Sequence, residues 1–489
     1  MSAALPSRLQ ATSLSPRFVT GSLMRHVSVM AGTGAIGLVA VFAVDLINLF
    51  YISLLGQKEI AAAVGFSGVV GFFHISVAIG LTIGVAATVS RAIGAGRTTD
   101  ARRLATASLA IMVAISAVVG SGTALFLGPV LNALGARAEV AQLAHRYLAV
   151  TVHSLPLLGV GMASAALLRA VGDARHAMMV TLSAAAVTAV LDPILIFGFH
   201  LGLDGAAIAS VLSRMVLAGV GLYGVLVRHR MLSRLDVKAL GADAKTLMAV
   251  AAPAILTNLA TPVAAAFVTH SIAQFGPSAV AGAATIDRVS PVAFGVIYAL
   301  SGAVGPILSQ NLGAREFGRV RAGLRASLVF MACAVAVAWM VLALAVVPWG
   351  GPTGEGKGLL IRMFSANGVA ADLITLFCLG LAPSFFFIGA LFVANAALNN
   401  LGHPLLSTAF NWGRATLGTI PFAWWGSHYS AAGVLIGQSV GSAIFGLLAM
   451  VVAWRIVGRL EEKATQAPPA FAGDAALVSA AATHPASAG

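Results

Sequence analysis

Three of the sixteen acidic residues lie deep inside long apolar segments: Asp45, Asp192 and Asp287. A carboxylate at the centre of a lipid bilayer costs about 2.5–3.5 kcal/mol on insertion scales, so such residues usually bind something or transfer a proton. The alternative is a structural role, in which the carboxyl group stabilises a kink or bonds to a neighbouring helix.

Asp45 lies in the segment VFAVDLINLFY, which has no basic residue within two helical turns. Asn48 follows three residues later, on the same helical face. Because burial disfavours the charged form of a carboxyl group, we expect Asp45 to hold a proton near neutral pH or to exchange it for a cation.

Asp192 directly precedes Pro193 in the segment LDPILIFG (191–198). Proline removes a backbone donor and bends a helix, so carbonyl groups become free to bind a proton or an ion. Thr188, one turn earlier, and Ser210, in the next apolar segment, can add hydroxyl groups. The pattern indicates either an ion site or a helix-breaking element near the membrane surface.

Asp287 stands beside Arg288, but adjacent helical residues point about 100° apart and need not pair. Asp287 therefore either lines a cleft and attracts a cation or forms an ion pair with another group. Arg214 and Arg414 also lie within apolar segments, and we interpret them as residues that pack or extend their charged ends towards water.

The composition indicates an all-α integral membrane protein. The 489 residues are 59% hydrophobic and 9% charged, with a mean hydropathy of +0.95, whereas soluble domains have about 25% charged residues. A helix crosses a bilayer with about 20 apolar residues. We predict twelve transmembrane helices, at 30–55, 62–89, 104–130, 141–168, 177–199, 204–227, 247–272, 279–309, 323–348, 371–397, 405–425 and 432–454.

Basic residues determine the expected orientation. Lys and Arg are concentrated in the N-terminal segment, in the loops after spans 2, 4, 6 and 8, and after span 12, whereas the alternate loops carry few. This positive-inside bias places both termini in the cytoplasm and accounts for the net charge of +13 without a nucleic-acid partner. We expect a multi-pass protein surrounded by the lipid of the cell membrane, which is the inner membrane in a Gram-negative cell.

The two halves of the sequence resemble each other. LLGQKEIAAAVG (54–65) and IGAGRTTDARR (93–103) match QFGPSAVAGAAT (274–285) and LGAREFGRVRA (312–322) at an offset of about 220 residues. Asp45 and Asp192 correspond to about Ala265 and Ile420, so we place the ion site in the first half alone. We predict a cytoplasmic tail (1–26), a six-helix lobe (27–227), a basic cytoplasmic linker (228–246), a second six-helix lobe (247–458) and a disordered cytoplasmic tail (459–489).

Several segments, in this order and spacing, resemble the MATE (multidrug and toxic compound extrusion) family of ion-coupled antiporters. They are VDLINLFYISLLG (44–56), ALLRAVGDARHAMM (166–179), LDPILIFGFHLGLDGAAIAS (191–210) and SQNLGAREFGRVR (309–321). The resemblance covers about residues 27–458. It implies two pseudo-symmetric six-helix bundles around a cleft that opens alternately to each side, and export of drugs or small organic cations in exchange for protons or sodium ions.

The resemblance also implies roles for individual residues. A proton or cation site in the first lobe would include Tyr147, Thr188 and Ser210 beside Asp45, Asn48 and Asp192, although the family often has Asn where this chain has Thr188. Asp287 would be a charge in the cleft. The coupling ion, H+ or Na+, would be the only cofactor, and we expect a monomer.

Two other function classes are weighed against this hypothesis. No phosphate-binding loop of the GxxxxGKS or GxxxxGKT type and no hydrolase pattern occurs, which argues against an ATP-driven pump and against an enzyme. The alternative within the same superfamily is a flippase for lipid-linked precursors. Such proteins tend to carry several basic residues in the cleft, whereas these spans, away from their ends, contain only Arg214, Arg288 and Arg414, which favours a cationic substrate.

Overall fold

The computed structural model describes residues 14–55, 57–348 and 358–466, and within these ranges the chain forms helices and no strand. Ten helices are long and apolar enough to cross a membrane, and an eleventh span is a pair of helices bent by 47°. The prediction of an all-helical membrane protein is therefore confirmed. The predicted span 405–425 is helical as well, but it consists of shorter consecutive pieces and is not among these eleven.

The helices follow the predicted spans in order, with ends that differ by several residues. We number them α1 (Leu23–Leu54), α2 (Lys58–Gly94), α3 (Thr98–Leu125), α4 (Ala138–Ala170), α5 (Ala174–Gly198), α6 (Gly202–Arg228), α7 (Val237–Ala273), α8 (Pro277–Ala293 and Gly295–Gly313), α9 (Phe317–Val346), α10 (Val369–Asn400), α11 (residues 404–427) and α12 (Ala431–Gln466). Short helices at Leu127–Ala133 and Leu359–Met363 lie in loops.

Prolines interrupt the helices next to the polar residues identified above. Pro193 ends the α-helical part of α5, and a π-helical turn follows at Ile194–Gly198. Pro291 lies three residues before Phe294, where α8 bends by 47°. In both helices the irregular segment begins one to three residues after a proline. Helix α5 is nevertheless one continuous span, so a bend at Asp192–Pro193 stays a prediction.

Each lobe contains a buried apolar core, and the first helix of each lobe also packs on the opposite core. Val27 and Met30 of α1 belong to the core of the second lobe. Leu247 and Ala251 of α7 belong to the core of the first lobe. These exchanged helix ends join the two lobes.

The two lobes meet through glycines on the side that carries the basic loops, called here the arginine-rich side. Gly94 at the end of α2 lies against the backbone of Gln310 in α8, and a Cβ atom at Gly94 would overlap it. Gly313 at the end of α8 lies in the same way against the carbonyl group of Arg91. The two contacts are equivalent at the repeat offset of about 220 residues. The duplicated loops therefore position the lobes for backbone contact.

Part of the predicted N-terminal tail is packed between the lobes, which corrects the boundary 1–26. A 3-10 turn at Arg17–Val19 precedes α1, and Phe18 is 2% exposed. The Phe18 N–H donates to the side chain of Gln310 at 2.9 Å, and Asn311 donates to the Phe18 carbonyl at 3.1 Å. Gln310 in turn donates to the carbonyl of Ala170 at 2.7 Å, so this segment bridges both lobes.

Two other predicted boundaries also change. The linker 228–246 is not continuous coil, because α7 begins at Val237, where Asp236 caps the helix. The predicted tail 459–489 begins as part of α12, which runs to Gln466, and the rest of that tail lies outside the described residues.

A buried carboxylate fixes the turn between α4 and α5. The rings of His229 and His176 lie 2.7 and 3.0 Å from the carboxylate of Asp173, and Arg228 donates to it at 3.3 Å. Burial alone would raise the pKa of Asp173, but the hydrogen bonds from His229 and His176 outweigh burial and hold this pKa below its usual range. The contact ties the end of α6 to the first-lobe turn.

We expect Gly94→Val to separate the lobes on the arginine-rich side, because its side chain would overlap the backbone at Gln310. Overpacking of this kind costs about 1–3 kcal/mol. The measurement is the distance between spin labels at Arg97 and Glu316, which should lengthen. Gly68→Val is the matched control, since no heavy atom lies within 4 Å of its Cβ position. Equal label distances in the two variants would contradict the assigned contact.

We expect Asp173→Asn to lower the stability of the protein at pH 7. Because the pKa of Asp173 is depressed in the folded state, its contribution is fully present above the unfolded-state pKa of about 4 and is lost progressively as the pH falls from that value through the folded-state pKa. The melting temperatures of the two proteins should therefore converge in acid. Asp100, a half-exposed acid in the first turn of α3, supplies the control, Asp100→Asn. A deficit that is equal at pH 7 and pH 3 would refute this explanation.

Candidate functional site

The first lobe brings two of the predicted polar residues into direct contact. The side-chain amide of Asn48 in α1 donates to Oδ2 of Asp192 in α5 at 2.7 Å. Asp45, one turn before Asn48, is close enough for its charge to act on Asp192. This Asp45–Asn48–Asp192 group, called here the carboxylate cluster, joins α1 to α5 at the proline break.

The two carboxyl groups of this cluster have different surroundings. Asp192 is 1% exposed, and its Oδ1 is buried without a hydrogen-bond partner among the described residues. Asp45 is exposed, as are its neighbours Leu46 and Ile47. The cluster therefore has one open carboxyl group and one buried group with an unsatisfied oxygen.

The three predicted hydroxyl residues do not bond to the carboxylates. The Tyr147 hydroxyl lies 3.4 Å from Ser210 Oγ, which is long for a hydrogen bond. Thr188 donates to the carbonyl of Ala184 in its own helix at 3.1 Å. The structure thus places Asn48 with Asp192 and Tyr147 with Ser210, while Thr188 bonds within α5.

The second lobe contains a cavity of 340 Å³, within the range of about 300–1,000 Å³ for small-molecule sites. Its walls come from α7, α8, α10, α11 and α12, and Ile79 and Ile83 of α2 reach it from the first lobe. Aromatic and amide side chains share the lining, among them Tyr298, Phe377, Phe385, Phe392, Asn258, Asn395, Asn399, Asn411 and Gln438. We call this space the second-lobe cavity.

Two oppositely charged residues line the second-lobe cavity, Asp287 of α8 and Arg414 of α11. Their side chains make no hydrogen bond or ion pair with any residue that the structure describes. Both act electrostatically on the hydroxyl of Tyr298, which lines the same cavity. The structure thus places Asp287 in a cavity wall, as one of the two sequence hypotheses has it.

The two intramembrane arginines have different surroundings, which the sequence did not reveal. Arg214 donates to the Thr151 carbonyl at 2.6 Å and to Ser154 Oγ at 2.8 Å, where α4 is interrupted by a 3-10 turn. That is a structural role, since it satisfies backbone freed by the break. Arg414 instead faces the cavity, so its interpretation as a packing residue is wrong. Its only signal in the sequence is a charge within an apolar segment.

An aromatic contact connects the two regions. Phe42 of α1 lies one turn before Asp45, and its ring meets that of Tyr298 in an edge-to-face arrangement with centroids 6.4 Å apart. Tyr298 also packs edge to face on Phe392, at 5.4 Å. Helix α1 packs on α5 and α8. The same helix therefore carries part of the carboxylate cluster and touches the cavity wall.

The comparison with known families agrees with this architecture. The sequence profile of the MatE family matches residues 35–194 and 253–425, which is one segment in each lobe. This chain belongs to the MatE family. It is therefore a multi-pass membrane transporter and not an enzyme, and the resemblance described above is confirmed.

Two curated relatives and two solved structures illustrate the similarity. The FAD transporter of Shewanella oneidensis is 30% identical over 428 residues, which is 86% of this chain and 92% of that protein. The multidrug export protein MepA of Staphylococcus aureus is 25% identical over 302 residues, which is 60% of this chain and 66% of that protein. A variant of the Vibrio cholerae MATE transporter VcmN superposes with a TM-score of 0.83 at 25% identity over 91% and 99% of the chains. An outward-facing multidrug resistance MATE transporter superposes with a TM-score of 0.83 at 20% identity, over 92% of this chain and 99% of that one. This similarity supports the fold.

We expect Asn48→Ala to destabilise the junction of α1 and α5, because both oxygens of Asp192 then lack a donor. Leaving a buried polar group unsatisfied costs about 1–3 kcal/mol. The comparison variant is Tyr147→Phe, whose long contact with Ser210 predicts a loss below about 1 kcal/mol. Thermal unfolding of the purified proteins measures both changes. Equal melting temperatures for Asn48→Ala and the unmodified protein would contradict the importance of this bond.

Proposed function

We propose that this MatE-family protein is a secondary active exporter in which the carboxylate cluster of the first lobe binds the coupling ion. The observation that supports this most directly is the buried Oδ1 of Asp192, which has no partner in the described part of the chain. A buried carboxylate oxygen without a donor is unfavourable by several kcal/mol in the charged state. Binding a proton or a cation removes that penalty.

The geometry favours a proton as the coupling ion. One free oxygen is sufficient for a proton, whereas a metal cation needs several oxygen ligands at once. The hydroxyl groups predicted for the site are engaged elsewhere, since Thr188 bonds to Ala184 and Tyr147 faces Ser210. Sodium remains the alternative, with Asp45 and Asp192 as its ligands. The membrane potential adds about 2.3 kcal/mol per charge and per 100 mV to the inward movement of the coupling cation.

Two substrate classes are proposed for this exporter. A flavin nucleotide such as FAD is the first, because the Shewanella oneidensis relative is named as an FAD transporter and Arg414 offers the cavity a cationic group. Organic cations and drugs are the second, because the MepA relative is named as a multidrug exporter and Asp287 lies in the same cavity. The MepA relative, which is named as a multidrug export protein, favours an exporter over the lipid-precursor flippase. We propose that the protein acts as a monomer.

The test of ion coupling is efflux from proteoliposomes under an imposed pH gradient or sodium gradient, with FAD and a fluorescent organic cation measured separately. We expect a pH gradient to drive efflux and Asp192→Asn to reduce the gradient-driven rate by at least ten-fold, because an amide cannot release a proton. Asp45→Asn should reduce it as well. The control is Asp100→Asn, which changes an acid in the first turn of α3 outside the carboxylate cluster and the second-lobe cavity, and it should transport at the unmodified rate.

Three results would count against the proposal. Full gradient-driven efflux in Asp192→Asn would exclude this carboxyl group from coupling. Efflux that responds to sodium and not to pH would replace the proton with sodium. Absence of gradient-driven transport for both FAD and the organic cation would overturn ion-coupled export itself.

A further inference from the structure

We propose that the second-lobe cavity is a binding site for an aromatic substrate that carries an anionic group, with Arg414 as the anion-binding residue. This inference rests on the proposed function, because it chooses between the two substrate classes given there. It is carried by the chemistry of the cavity wall and concerns a different lobe from the carboxylate cluster.

The first step is the unpaired state of Arg414. A guanidinium group taken out of water normally donates to a carboxylate or another acceptor. In this protein Arg214 donates to a backbone carbonyl. Arg414 lacks any such partner among the described residues, although Asp287 lines the same cavity. A guanidinium fork binds phosphate oxygens in pairs. The empty donor positions of Arg414 therefore favour a phosphate or another oxyanion as the ligand group.

The second step is the aromatic part of the wall. Four rings line the cavity, those of Tyr298, Phe377, Phe385 and Phe392. Phe385 is already stacked on Phe294, with centroids 3.9 Å apart and planes inclined by 10°. Rings held in this way present fixed faces and edges to a flat ligand. The wall therefore fits a planar ring system better than a compact phosphate alone.

The third step concerns acceptors that would orient the ring. Asp287 has no donor bonded to it among the described residues, and Oδ1 of Asn399 is buried without a partner. A ring N–H group, of which a flavin has one, would satisfy one of these acceptors, and Asn258 and Gln438 add further amides to the wall. An organic cation without an anionic group would pair with Asp287 but would be repelled by Arg414. A ligand with an N–H donor on a flat ring and a phosphate can use both Asp287 and Arg414.

The test uses three flavins as probes of the purified protein in lipid nanodiscs. FMN and FAD carry phosphate, whereas riboflavin has the same ring system without it, and flavin fluorescence reports binding of all three. The unmodified protein should bind FMN at least ten-fold more tightly than riboflavin. Arg414→Ala should weaken FMN binding by about ten-fold or more, as expected for a lost charge-assisted hydrogen bond. Riboflavin binding should change by less than about two-fold.

Two further variants separate binding from structure. Arg288→Ala removes an exposed arginine of the same lobe that does not line the cavity, and it should bind FMN normally. Arg414→Lys retains the charge and should keep part of the FMN preference. Equal weakening of FMN and riboflavin in Arg414→Ala would mean a structural role and would overturn the inference. If Arg414→Ala does not fold, binding to the unmodified protein tests the inference instead. Equal affinity of the unmodified protein for FMN and riboflavin would also overturn the inference.

Failure of this inference can be distinguished from failure of the proposed function. A protein that exports the fluorescent cation under a pH gradient but does not bind FMN is an ion-coupled exporter with a different substrate. If the protein binds FMN through Arg414 but transports neither FAD nor the fluorescent cation under any gradient, the binding site is supported and the proposed transport mechanism is contradicted.

Discussion

A carboxylate oxygen without a donor, held where water is scarce, is the constraint on which the rest of this transporter depends. Oδ1 of Asp192 is in that position, while Oδ2 accepts a hydrogen bond from Asn48. The charge on Asp192 therefore cannot be balanced by its protein surroundings alone. Because Asn48 belongs to α1 and Asp192 to α5, any change in the state of the carboxyl group acts on the contact between these two helices.

The architecture separates this constraint from the second-lobe cavity and connects the two through one helix. Helix α1 carries Asp45 and Asn48, and one turn earlier Phe42 meets Tyr298 in the cavity wall. Packed side chains with discrete arrangements can transmit a shift of a helix over such distances. The glycine contacts at Gly94 and Gly313 hold the lobes together at the arginine-rich side.

Much of the fold follows from the sequence because hydropathy and loop charge are local properties. The apolar segments appear as helices in the predicted order, and a π-helical turn follows Pro193 in α5. The pairing of Asn48 with Asp192 could not be derived, since the two residues lie on helices that are far apart in sequence.

The sequence by itself determined the membrane class, the duplicated halves, the family and the unusual acids within apolar spans. Only the tertiary structure decided what each buried polar group contacts. Arg214 and Arg414 show why: both are arginines in apolar segments, yet one satisfies the broken backbone of α4 and the other faces a cavity. Hydrophobicity fixes the depth of a residue in the membrane, whereas its partner depends on how helices distant in the chain pack together.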